Sequence, residues 1–209
     1  MDSETRQNKT RELEELRKRV QQLETDLEAA PEHWQATEYY ATYHATTGFF
    51  LGGIAALASL LFNVVGASLF EKHPLRLIQV YLTFPLGEKA LGDEFNSGIG
   101  LAVGCCLYIG TGMVLGIPFQ MVLAKFVPNA KLGQRLAVAT VLGLALWLIN
   151  FYGILSWLQP MLFGGNWIVD PKLLPPWVAA LTHVVFAWTM ALLYPWGAYQ
   201  PYRPQTEVA

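Results

Sequence analysis

Charge is missing from most of this sequence. Only 14% of its 209 residues are Asp, Glu, Lys or Arg, where a soluble domain carries about 25%. The deficit is concentrated: residues 47–70, 98–124, 136–169 and 173–202 hold no charged residue at all. Each stretch is long enough for the about 20 apolar residues that cross a bilayer core at about 1.5 Å per residue. That composition excludes an ordinary soluble domain. It also argues against functions that work through intramembrane charge, because proton relays, ion-coupled transporters and voltage sensors carry Asp, Glu, Lys or Arg within their spans.

Other absences narrow the field further. No carboxylate pair is available inside the stretches for acid–base catalysis, and the sequence contains no HExxH, GxSxG, P-loop or Rossmann signature. The chain therefore reads as a non-enzyme. Its net charge of −2 gives no electrostatic footprint for nucleic acid. The two cysteines are adjacent, Cys105 and Cys106, a poor arrangement for a structural disulfide. The first thirty residues are highly charged rather than apolar, so no cleavable secretory signal is expected.

What is present predicts an all-α integral membrane protein: a four-helix bundle with spans at about 47–70, 98–124, 136–163 and 176–198. Basic residues set its orientation. Six in the first thirty residues join Lys125, Lys131, Arg135 and Arg203 on one side, ten in all, against Lys72, Arg76, Lys89 and Lys172 on the other. Both termini are expected in the cytoplasm, with the chain in the inner (cytoplasmic) membrane.

The flanking segments have their own character. Residues 1–30 are expected to form an amphipathic helix, with Leu13, Val20 and Leu27 at heptad a and Leu16 and Leu23 at d. In a parallel pair, Glu12 would face Arg17 of the partner helix, and Arg19 its Glu24, opposite in sign both times. The seam suits a coiled coil with a second copy or a partner subunit, or a solvated helix lying on a neighbour. Pro31 ends it. Residues 31–46, with Trp34, Tyr39, Tyr40 and Tyr43, resemble an interfacial aromatic belt. The apolar segment within 74–92 is too short to span, and reads as a helix flat in the outer interface or a re-entrant one. Pro160 is expected to break the end of the third span. The Pro-rich tail, 199–209, is expected to be extended or disordered.

Inside the spans, small residues predict close helix packing. Span one offers Gly48, Gly52, Ala56, Ser59, Asn63 and Gly66. Span two offers Gly100, Gly104, Gly112 and Gly116, with Tyr108 in the open slot. A strict four-residue step drifts about 40° per repeat, so one stripe can meet two neighbours in turn.

The few polar side chains gather at one depth. By helical rise Asn63 lies about 24 Å from the inner end of its span, Asn150 about 22 Å, and His183 about 10 Å below the outer end. Tyr108 falls at a similar level. This layer either holds helices together or forms a pocket for a lipid, a quinone head group, a pigment or a soft metal. His44 and His183 would stand about 20 Å apart in height, too far for two ligands of one haem. No cofactor is required, and a bound lipid is compatible with the layer.

In outline the chain is similar to small four-helix accessory subunits of bacterial respiratory and other energy-transducing complexes. That resemblance implies a non-catalytic subunit, partnered by other membrane subunits or by itself through the 4–28 helix and the small-residue faces. A small pore for an uncharged solute is the alternative.

Overall fold

The computed structural model describes residues 3–29, 40–92 and 98–199. Among them every regular element is helical, and four helices are long and apolar enough to cross a membrane. The chain divides into two units, residues 1–37 and 38–209. The first holds α1 (Ser3–Ala29), which stops just short of Pro31. The aromatic stretch through Trp34 and Tyr39, and the tail beyond Tyr199, lie outside the described residues.

The second unit contains α2 (Ala41–Leu69), α3 (Arg76–Leu86), α4 (Ile99–Phe126), α5 (Leu132–Leu148), α6 (Ser156–Phe163) and α7 (Pro176–Leu193). A π-helical segment, Ile149–Leu155, joins α5 to α6 into one span, and a 3₁₀ turn, Tyr194–Gly197, closes α7. Pro176 opens α7 at a position where its missing N–H costs no helical bond.

The span limits differ from the charge-free stretches in instructive ways. The first span starts at Ala41 rather than near Thr47, because the intervening Thr, Tyr and His residues are uncharged and contain no helix breaker. The third starts at Leu132 rather than Leu136, so Arg135 lies inside the helix and is only 8% exposed. Its guanidinium sits 4.3 Å over the Tyr194 ring and donates to the Ala130 carbonyl at 3.0 Å, which compensates the buried charge. Pro160 does not break its helix. The proline frees the Ser156 carbonyl, and Asn166 Nδ2 donates to it at 3.2 Å, so α6 continues to Phe163. Gly164 then ends it at φ +77°, in the left-handed region.

The small-residue stripes organise the packing. α2 and α4 run antiparallel, with Gly48 and Gly52 against the Gly116 and Gly112 backbone and Ala56 against Gly112. One turn further on, Ser59 Oγ meets Tyr108 Oη at 2.8 Å. Beyond that the α4 stripe turns away from α2, and Gly104 packs under Ile78 and Leu82 of α3. This is the drift of a four-residue step, one stripe serving two partners. Gly66, by contrast, has no neighbour within 4 Å of an added methyl. On the other side, Gly143 of α5 lies against Ala187 and the His183 carbonyl of α7.

α2 buries its small and polar side chains and exposes Phe50, Ile54, Leu57, Leu61 and Val65 on one outer face. Water would select the reverse; lipid contact selects this. Helix α3 has no broad free face, since Ile78, Gln79, Val80, Leu82 and Thr83 are all buried among α4, α6 and the 164–175 loop. The third span is the barest: 11% of its most apolar window is buried, against 50% for the first.

Candidate functional site

Where α4 and the third span diverge, a cavity of about 330 Å³ remains between helices. α3 contributes Val80 and Tyr81, α4 Tyr108 and Thr111, the π segment Asn150 and Phe151, and α7 Thr182 and His183. Ile168 and Leu174 of the long loop close one end. Thr111 and Ile154 border the cavity and are also exposed on the outer surface, so it opens sideways between the spans. No lining residue is an acid, a lysine or an arginine.

The π segment shapes this wall. Gly143 and Gln159 both face protein, but sixteen residues of regular α-helix would rotate one about 160° from the other. The wider i→i+5 turns of residues 149–155 take up that mismatch. They also place Asn150 and Phe151 at the cavity, the Phe151 ring 5.7 Å from that of His183.

Of the four residues singled out from sequence, Tyr108, Asn150 and His183 border this one cavity. Asn63 does not. It lies one hydrogen bond behind, its Nδ2 donating to Thr182 Oγ1 at 2.8 Å and to the Ser59 carbonyl at 2.8 Å. Sequence reasoning passed over Tyr81, Thr111 and Thr182. Thr182 adjoins His183 and was the most legible of them; Tyr81 sits in a segment whose depth the sequence leaves open.

Proton bookkeeping shows which cavity groups remain free. Ser59 donates to the Ala56 carbonyl (2.9 Å), so Tyr108 is the donor in its bond to Ser59. Likewise Thr111 donates to the Leu107 carbonyl (3.0 Å), and Tyr81 donates to Thr111 Oγ1 at 2.6 Å. Thr182 donates to the Val178 carbonyl at 2.8 Å. His183 Nδ1 lies 2.8 Å from the Ala179 carbonyl, which can only accept, so Nδ1 carries the proton and Nε2 of the neutral ring is an acceptor. The Asn150 amide has no partner among the described residues.

His44 stands in the first turn of α2, at the end of the molecule where Thr47 and Leu51 meet Gly197. Gly197 is fourteen residues beyond His183, about 21 Å along a helix, so the two histidines do not approach a common iron. Among the described residues no three His, Cys, Asp or Glu side chains gather as a metal site. The Gly48/Gly52 and Gly112/Gly116 faces pack closely against one another, and Gly112 also borders the cavity.

Asn63→Leu is expected to lower stability by about 0.6 kcal/mol and at most about 1.7, the range for one interhelical hydrogen bond in a membrane. A thermal melt in detergent checks it, at about 2–4 °C per kcal/mol for a chain of this size. No family model matches the chain, and comparison with curated proteins and with solved structures finds no match either.

Proposed function

We propose that the chain is a non-catalytic subunit of a larger membrane assembly. It crosses the inner membrane four times as a helical bundle, both termini in the cytoplasm and α3 dipping between spans as a re-entrant segment. α1 docks on a partner helix or a second copy. One observation carries this reading: nothing within its own unit covers the heptad seam of α1, with Leu13, Leu16, Val20 and Leu23 exposed by 52%, 60%, 53% and 53%. The uncovered third span adds a second surface for lipid or partner.

Magnitudes favour docking within a membrane over pairing in solution. Covering half of each seam side chain is worth about 1 kcal/mol apiece, about 4 kcal/mol on each helix and about 8 kcal/mol for a pair. Free association costs about 4–15 kcal/mol, enough to offset that gain. Confinement of both partners to one membrane raises their effective concentration and tips the balance.

The test replaces two seam positions, Leu16→Glu with Leu23→Glu. In mild detergent the native chain is expected to migrate as an assembly well above its own 23.3 kDa. The double variant should dissociate while its thermal midpoint stays unchanged. Purification of the native chain as a lone monomer would defeat the proposal. A reporter active only outside the cytoplasm, fused to the C-terminus, should stay silent.

A further inference from the structure

The cavity invites a question separate from assembly: what its free groups would recognise. We propose that it binds a neutral amphiphile whose head carries a hydroxyl group, entering sideways from the bilayer. The walls are apolar side chains such as Val80, Leu115, Leu146, Phe151 and Phe186, which suit an aromatic or isoprenoid body. The volume, about 330 Å³, lies at the lower end of small-molecule sites and holds a head with the start of its chain.

Charge selects against most membrane lipids. With no lysine or arginine in the lining, a phosphate or carboxylate head would be desolvated without compensation. With no Asp or Glu there, an ammonium head fares no better. The head must be uncharged.

Hydrogen-bond balance selects further. The hydroxyl protons of Tyr81, Tyr108, Thr111 and Thr182 are already donated elsewhere. What the cavity offers is an excess of acceptors: His183 Nε2, the Asn150 carbonyl oxygen and the spare lone pairs of Tyr108. The free donors among these groups are the Asn150 amide protons. A ligand that only accepts, such as a quinone or an ester, would satisfy Asn150 and leave His183 Nε2 bare. A hydroxyl donates to one and accepts from the other. Burial next to an unpaired acceptor is penalised, so a phenol or alcohol head is favoured over a ketone of the same shape.

Two sources share this chemistry: the reduced form of a membrane quinone, and a long-chain or prenyl alcohol. The experiment uses the full chain in phosphatidylcholine nanodiscs, with empty nanodiscs as the partition blank. Three probes are titrated: decyl-hydroquinone, the corresponding decyl-benzoquinone, and the C15 alcohol farnesol. Saturable binding of the hydroquinone, of farnesol, or of both is expected, with the benzoquinone at least about tenfold weaker. Hydroquinone alone identifies the quinol source, and farnesol alone the alcohol source. Asn150→Leu removes a side chain with no protein partner among the described residues, so it should melt like the native chain yet lose about tenfold in affinity. His183→Phe should abolish the preference for hydroxyl over carbonyl. The proposal is overturned if neither hydroxyl probe saturates, if the benzoquinone binds as tightly as the hydroquinone, or if a folded Asn150→Leu chain binds like the native one. Because α1 is untouched in these variants, loss of binding here leaves the assembly reading standing.

Discussion

Gly52→Leu will force α2 and α4 apart and lower the melting midpoint of the purified chain by about 6–12 °C. A methyl group on Gly52 already collides with the Gly112 carbonyl oxygen and the Gly116 backbone. A rotating side chain could yield; a backbone carbonyl can move only with its helix. Overpacking of this kind costs about 3 kcal/mol or more, and each kcal/mol shifts the midpoint of a chain this long by about 2–4 °C. The same contact is reciprocal, because a methyl on Gly116 meets the Gly48 carbonyl and the Gly52 backbone. Two glycines supply internal controls. Gly66 and Gly110 have nothing within 4 Å of an added methyl, and alanine there should be neutral or stabilising by about 0.5–1 kcal/mol. If Gly52→Leu and Gly66→Leu melt together, close packing at the glycine faces is not what holds α2 to α4.

That glycine stripes would be packing faces was legible in the sequence, because glycine spacing and membrane packing obey the same rule, but which stripe meets which, and at what register, was not. The spans were legible for a simpler reason, since an uncharged run of sufficient length has few other uses. The polar layer was partly legible. Helical rise alone brought Tyr108, Asn150 and His183 to one level, and the structure places all three on one cavity. It could not separate them from Asn63, whose amide is satisfied by Thr182, because rise fixes height and says nothing about azimuth. Azimuth is also why the π segment was missed. Nothing in the Ile149–Leu155 sequence marks a wider turn; the mismatch exists only between Gly143 and Gln159, once both neighbours are known. The burial of α3 was hidden for a related reason. Its apolar run and single arginine suit an interface as well as an interior, and the partner of Thr83, Gln159, comes from elsewhere in the chain.

Gln159 is the sharpest case, and its replacement should have the second-largest effect. Beside Pro160 a lone glutamine looks like the polar end of a span. In the fold it is fully buried and joins three elements. Its Oε1 accepts from the Ile168 N–H at 3.0 Å, and its Nε2 donates to Thr83 Oγ1 at 3.1 Å. Thr83 in turn donates to the Val80 carbonyl, so α6, α3 and the long loop share one chain of bonds. Gln159→Leu keeps the volume and removes both bonds. The Ile168 N–H is then stranded in a residue only 5% exposed, at about 1–3 kcal/mol. The midpoint should fall by about 2–12 °C on the scale above, and amide exchange at Ile168 should accelerate by about tenfold or more. Thr83→Val removes the bond from Nε2 and Thr83's own bond to the Val80 carbonyl but leaves Ile168 paired, so the Ile168 amide should exchange at nearly the native rate. Val80, Ile168 and Leu174 all border the cavity. Gln159→Leu should therefore weaken hydroquinone or farnesol binding without touching the ligand, and unchanged Ile168 exchange would show that the Gln159 bond is not what holds the loop.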